Sequence, residues 1–107
     1  MVKNQTLKWT QAARDDLKSI FDYIYDVDCK RNAFYVVSEI RKQAQKILVF
    51  PELFPKEQKI NDDNIRFTIK WRYKIIFKID KTAIYIVRIF HTSQNPDKLT
   101  IDEFFEE

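Results

Sequence analysis

Apolar and polar positions change period along this chain. Val2, Leu7 and Trp9 mark a short opening stretch that ends at Thr10, a side chain suited to capping a helix, so a first strand is expected over Val2 to Trp9. The period then lengthens. Ala13, Leu17, Ile20, Phe21 and Ile24 fall on one stripe, with Arg14, Asp15, Lys18 and Asp22 opposite, which predicts an amphipathic helix ending near Val27. A second stripe of Ala33, Val36, Val37, Ile40, Ala44, Ile47 and Leu48 repeats the spacing until Pro51 stops it. Only a few residues around Asp28 to Arg31 separate the two stripes, so an antiparallel helical hairpin is expected.

Beyond the helices the pattern becomes that of strands. Two prolines between Phe50 and Pro55 impose an extended connection, and Asn61-Asp62-Asp63-Asn64 supplies a turn through side chains that tolerate left-handed backbone. Ile65 to Ile79 is rich in β-branched and aromatic residues. It is too long for one ordinary strand and divides into two, with a tight turn near Lys70 to Arg72. Asp80-Lys81-Thr82 makes the next turn. Ile84 to His91 is almost continuously apolar, broken only by Arg88, and so reads as a central strand. The last residues carry little regular pattern. There is no repeat and no linker, which predicts one domain over residues 1–107.

Composition narrows the chemistry. The 107 residues include no glycine, which removes phosphate-cradling loops built on bare backbone. One cysteine, Cys29, forbids an internal disulfide, and with a single histidine it cannot close a zinc site; no metal and no cofactor are expected. No apolar run is long enough to span a bilayer and the first ten residues do not read as a signal peptide, so a cytoplasmic protein without membrane attachment is expected. The net charge of +3 is unevenly spread. Residues 97–107 hold five acids against Lys98, a tail of −4, which leaves +7 on residues 1–96. Within these, Arg66 to His91 carries seven Lys or Arg against Asp80 alone. Such a stretch attracts acidic or phosphate-rich partners, and it equally suits a solvated sheet face.

The order of these elements, with Trp9-Thr10-Gln11-Ala12-Ala13-Arg14-Asp15-Asp16-Leu17 at the opening of the first helix, Ile65-Arg66, Tyr73-Lys74-Ile75-Ile76-Phe77, and Ile84 to Pro96 ending in His-Thr-Ser-Gln-Asn-Pro, resembles the RelE/ParE toxin superfamily over about residues 5–98. The resemblance implies an α+β fold of order β-α-α-β-β-β, with room for one further strand, in which an N-terminal strand and an antiparallel helical hairpin pack on a small, mostly antiparallel sheet. It also implies the toxin half of a bacterial type II toxin–antitoxin pair, neutralised by a cognate antitoxin in a hetero-oligomer. Two activities occur in the superfamily. ParE-like members act on DNA gyrase, and RelE-like members cut messenger RNA on the ribosome without a metal. The fold does not choose between them. The paired helices, the ending of the last strand and the lack of a complete Arg, Lys and His or Tyr set place this chain nearer the ParE-like branch, gripping its target with a basic sheet surface that Arg66, Lys74 and Arg88 are expected to share. RelE-like RNA cleavage, or a degenerate member that only binds its antitoxin, are the alternatives.

Candidate site residues follow from the chemistry each route needs. RNA cleavage requires a base, an acid and cations on the phosphate. His91 is the natural proton carrier near neutrality, and a histidine at a strand end also commonly holds the next loop by hydrogen bonds. Tyr73 is the second proton donor, or a packing ring. Arg66 and Arg88 are candidates for phosphate or target binding, with salt bridges as their ordinary use; for Arg88 the alternatives are a pocket wall and an ion pair with a helix edge. Lys74 stands where relatives commonly have arginine, which substitutes a compact ammonium for a fork-shaped donor. Trp71 and Arg72, at the expected turn, either meet a partner or cover one end of the sheet. The acidic tail either lies over the basic sheet as an internal counterion anchored by Phe104 and Phe105, or is an ordinary frayed terminus.

Overall fold

The computed structural model describes residues 5–93. The acidic tail and any strand after His91 lie outside the described residues. The elements are β1 (Thr6–Trp9), α1 (Gln11–Val27), α2 (Lys30–Gln45), two short 3-10 turns (Lys46–Leu48 and Pro51–Leu53), β2 (Ile65–Lys70), β3 (Tyr73–Ile79) and β4 (Ala83–His91). This is the expected α+β order. The four strands form one sheet in the order β1-β4-β3-β2, antiparallel except that β1 runs parallel to β4. Two expected boundaries shift: the first strand begins after Gln5, with residues 2–4 of the expected strand outside the described residues, and the second helical stripe tightens into a 3-10 turn at Lys46 before Pro51. No helix of the described residues is long and apolar enough to cross a membrane.

The helical hairpin covers one face of the sheet. Ala13, Leu17, Ile40, Ala44 and Ile47 from the helices meet Ile75, Phe77, Ile84, Ile86 and Ile89 from β3 and β4 in a single cluster. Burial of this many branched and aromatic side chains supplies the main driving force for the fold, since each contributes roughly 1.5–3 kcal/mol when fully removed from water. Gln43 of α2 adds a polar tie, donating to the hydroxyl of buried Thr68 on β2 at 2.7 Å. The opposite face of the sheet carries a smaller cluster of Ile65, Ile76, Val87 and Phe90, covered by Ile60 from the loop before β2.

Strict alternation along β4 would send Ile84, Ile86 and then Arg88 into the helix-side core. A bulge prevents it. Ile76 pairs with Arg88 while Phe77 pairs with Ile86, so Val87 is the extra residue and the alternation restarts one position later. Ile89 takes the core place instead.

β1 accompanies β4 only from Ala83 to Ile86. The next stretch of that edge is satisfied by the start of α1. Thr10 N–H donates to the Ile86 carbonyl at 3.1 Å, and its hydroxyl donates to Ile86 and Val87 carbonyls at 2.9 and 3.2 Å. The same hydroxyl oxygen accepts from Ala13 N–H, capping α1. Further on, the Asp16 carboxylate accepts the Ile89 N–H at 2.8 Å. The outer edge of β2 is partly closed by residues 55–57, where Glu57 N–H donates to Ile65 and Phe67 N–H to Pro55.

The β2–β3 hairpin turns on two residues, Trp71 and Arg72, between the paired Lys70 and Tyr73. Trp71 has φ 55°, the only positive value outside glycine among the described residues. The first position of such a turn is ordinarily glycine. In a chain without glycine, tryptophan occupies the left-handed region at a cost of roughly 1–2 kcal/mol.

Thr10 links helix cap and sheet edge through one oxygen. Thr10→Ala should lower stability by about 1–2 kcal/mol in urea unfolding, and Thr10→Ser, which keeps that oxygen, should recover most of the loss.

Candidate functional site

The cations expected to share a surface occupy three separate places. Arg66 on β2 pairs with Phe77 and so faces the helix side, where its Nη1 donates to the carbonyls of Glu52 and Phe54 at 2.9 and 2.8 Å. It clamps the loop that leads from the 3-10 turn into β2, and its buried Nε has no hydrogen-bond partner among the described residues. Lys74 lies on the opposite face, beside Phe67 at 4.2 Å from ring centroid to ammonium. Its ammonium stands 2.7 Å from Glu57 Oε1 in an ion pair, though not at the angle of a well-formed hydrogen bond. Glu57 is only 5% exposed, and its other oxygen accepts the Lys59 N–H.

Arg88 sits at the edge of β4 and forks onto Asp16 of α1, with Nε and Nη2 at 2.8 and 3.1 Å from the two carboxylate oxygens. Both side chains are only 16% exposed. Of the two expected uses of Arg88, the helix-edge ion pair is the one the structure displays. The arrangement of these three cations does not form a common phosphate-binding surface among the described residues.

His91 and Tyr73 do come together. Paired across β3 and β4, their rings meet edge to face with centroids 5.5 Å apart. They border a cleft of about 430 Å³ between α1 and the end of the sheet. Ile20, Ile89 and Phe90 supply apolar wall, while Asp16, Ser19, Tyr23 and Ser93 supply polar groups; among the described residues no lysine or arginine lines it. His91 Nδ1 accepts the Ser93 N–H at 3.1 Å and stands 2.7 Å from the Ser93 hydroxyl. The ring therefore holds the chain that follows β4, as a strand-end histidine commonly does. Burial, and secondarily the neighbouring Tyr23 phenol, push the Tyr73 pKa above its ordinary 10.0.

Trp71 and Arg72 form the tip of the β2–β3 hairpin. Trp71 is 49% exposed, so it does not serve as a covered cap on the sheet. Lys70 Nζ stands 4.7 Å over its ring and Tyr35 of α2 packs against it at 5.9 Å. Lys70 is paired with Glu39 at 3.4 Å, and Arg72 is exposed.

Three participants escape a reading by sequence. Asp16 lies three residues after Ala13 and four before Ile20, at the border of the helix-1 stripe, and an acid there is a visible signal for an edge partner. Glu57 sits in a polar loop, where no spacing reveals its burial. Tyr35 meets Trp71 only through the tertiary packing of α2.

With this geometry in hand, comparison with known proteins is informative. The profile described as ParE toxin of type II toxin-antitoxin system, parDE, matches residues 7–96. The chain belongs to the ParE toxin family. A chain in the solved structure of the chromosomal ParDE toxin–antitoxin system from P. aeruginosa superposes with a TM-score of 0.72 at 22% identity, covering 84% of this ParE-family chain and 98% of that one. At that identity the likeness establishes the fold, which is the β-α-α-β-β-β arrangement described above. No curated protein matches the chain.

Three measurements test this geometry. Asp16→Ala removes the carboxylate from a largely buried guanidinium and from the Ile89 N–H, and should cost about 2–4 kcal/mol of stability. A double-mutant cycle with Arg88→Met should return a coupling energy clearly above zero. For Tyr73, the folded chain holds the phenolic proton more tightly than the unfolded chain. Its contribution is intact below the ordinary tyrosine value and is lost as pH rises through the raised folded value. Urea midpoints should therefore fall more steeply above about pH 10 in the wild type than in Tyr73→Phe.

Proposed function

We propose that this ParE-family toxin arrests growth by binding a macromolecular target, with DNA gyrase as that target, and that a cognate antitoxin neutralises it by direct binding in a hetero-oligomer. The observation that supports binding over RNA cleavage is the dispersal of Arg66, Lys74 and Arg88. Cleavage needs cations gathered around the phosphate that accepts negative charge, beside the groups that move protons. Here Lys74 and Arg88 are each engaged by a carboxylate and Arg66 by backbone carbonyls, on different sides of the sheet. Among the described residues, no lysine or arginine lines the cleft that joins His91 and Tyr73. A binding mode asks for none of this assembly. On this reading the chain acts as one domain in the bacterial cytoplasm, without a metal or cofactor.

The His91–Tyr73 pair is the feature that favours the second reading, RNA cleavage on the ribosome. Both can be tested side by side. Purified chain should inhibit supercoiling by purified gyrase, and primer extension on translated message should show no new cuts. Absence of inhibition at large toxin excess would overturn the gyrase assignment, and cuts within codons that disappear in His91→Ala would replace it with the nuclease reading.

A further inference from the structure

The β2–β3 hairpin tip stands out because the chain spends stability there without hiding what it gains. Trp71 is held in left-handed backbone, a region glycine would occupy without steric cost, yet almost half of the side chain remains in water. A ring kept only to cover the sheet would be buried. Tyr35, itself 55% exposed, and Lys70 brace the indole from within the chain. Ile69, on the strand leading into the turn, is also half exposed. The result is a small projecting apolar surface whose central ring has little conformational freedom left to lose on binding, the property that makes tryptophan an effective anchor in protein interfaces.

We propose that Trp71 is the anchor by which this toxin engages a protein target, inserting into an apolar pocket whose rim presents a carboxylate to Arg72. This rests on the target-binding reading above and adds the surface that performs it. Charge decides the class of partner. Lys70 is compensated by Glu39, so Arg72 is the cation the tip itself offers; among the described residues no carboxylate pairs with it. One uncompensated cation neutralises too few phosphates for firm binding to nucleic acid. One cation beside an exposed, preorganised aromatic ring suits a protein pocket with an acidic rim.

The test uses Trp71→Gly and Arg72→Glu in the full chain, with growth arrest after induction in a host lacking the antitoxin, and thermal unfolding of the purified variants. Because glycine relieves the backbone strain, the unfolding midpoint of Trp71→Gly should stay level or rise, while surviving colonies should increase at least tenfold over wild type. Arg72→Glu should weaken arrest in the same direction with unchanged unfolding. A marked fall in the Trp71→Gly midpoint would make the ring a structural brace and overturn the proposal, as would undiminished arrest in both variants. Trp71-dependent binding of single-stranded DNA at physiological salt, followed by fluorescence anisotropy, would assign the tip to nucleic acid and also overturn it. Arrest that depends on Trp71 while gyrase supercoiling is untouched would sink the gyrase assignment alone and support the anchor. Gyrase inhibition that is equal in wild type and Trp71→Gly would do the reverse. A wild-type chain that leaves growth intact would remove both.

Discussion

The lateral edge of β4 is the constraint from which the rest of the architecture follows. β1 supplies a partner for less than half of that strand, and the groups beyond Ile86 need others, because unpaired backbone inside a protein is costly. Helix α1 provides them, first through Thr10 and then through Asp16. A helix that must present two side chains to one strand edge has its direction and rotation fixed. This places Leu17 and Ala13 over Ile86 and Ile89, and the returning α2 then closes the same face. The packing and the polar seam thus specify one orientation together, and a shift of either would leave the other unsatisfied.

The same seam explains why the charge of the sheet has so little to offer a phosphate. Seven Lys or Arg between Arg66 and His91 look in the sequence like one basic surface. In the fold they are divided among two faces and an edge, and several are committed to holding loops and helices in place. Arg66 anchors the entry to β2, Lys74 balances buried Glu57, and Arg88 locks α1 to the sheet. Linear charge density records how many cations a segment has and says nothing about which way each one points, because neighbouring residues of a strand face opposite sides. A basic stretch from Arg66 to His91 therefore need not form a phosphate-binding face.

Much of the architecture was legible in advance. The two helical stripes, the cap at Thr10, the turn near Trp71 and the central place of the last strand all rest on local periodicity and punctuation, which the tertiary structure had no reason to override. The resemblance carried by Trp9 to Leu17 and Tyr73 to Phe77 added the packing of hairpin on sheet. The partners of the candidate residues were a different matter. Asp16 and Arg88 are far apart in the chain, as are Glu57 and Lys74, and no periodic signal joins such positions. Arg88 was ambiguous because the bulge at Val87 cannot be read from a run of β-branched residues, and without it alternation gives the wrong face. Trp71 was placed at the turn by sequence, while its strain and its brace against Tyr35 required coordinates.

That bulge has a consequence for how this gene can vary. Substitutions at Val87 exchange one side chain for another and leave the frame of the strand alone. Loss of the Val87 codon would make the pairing regular and leave Arg88, Ile89 and His91 opposite Ile76, Ile75 and Tyr73, because Ile86 would then be followed directly by the residue that already pairs with Ile76. Length along β4 can therefore change at the bulge at a local cost, namely the Val87 side chain on the far face and the carbonyl that accepts from Thr10.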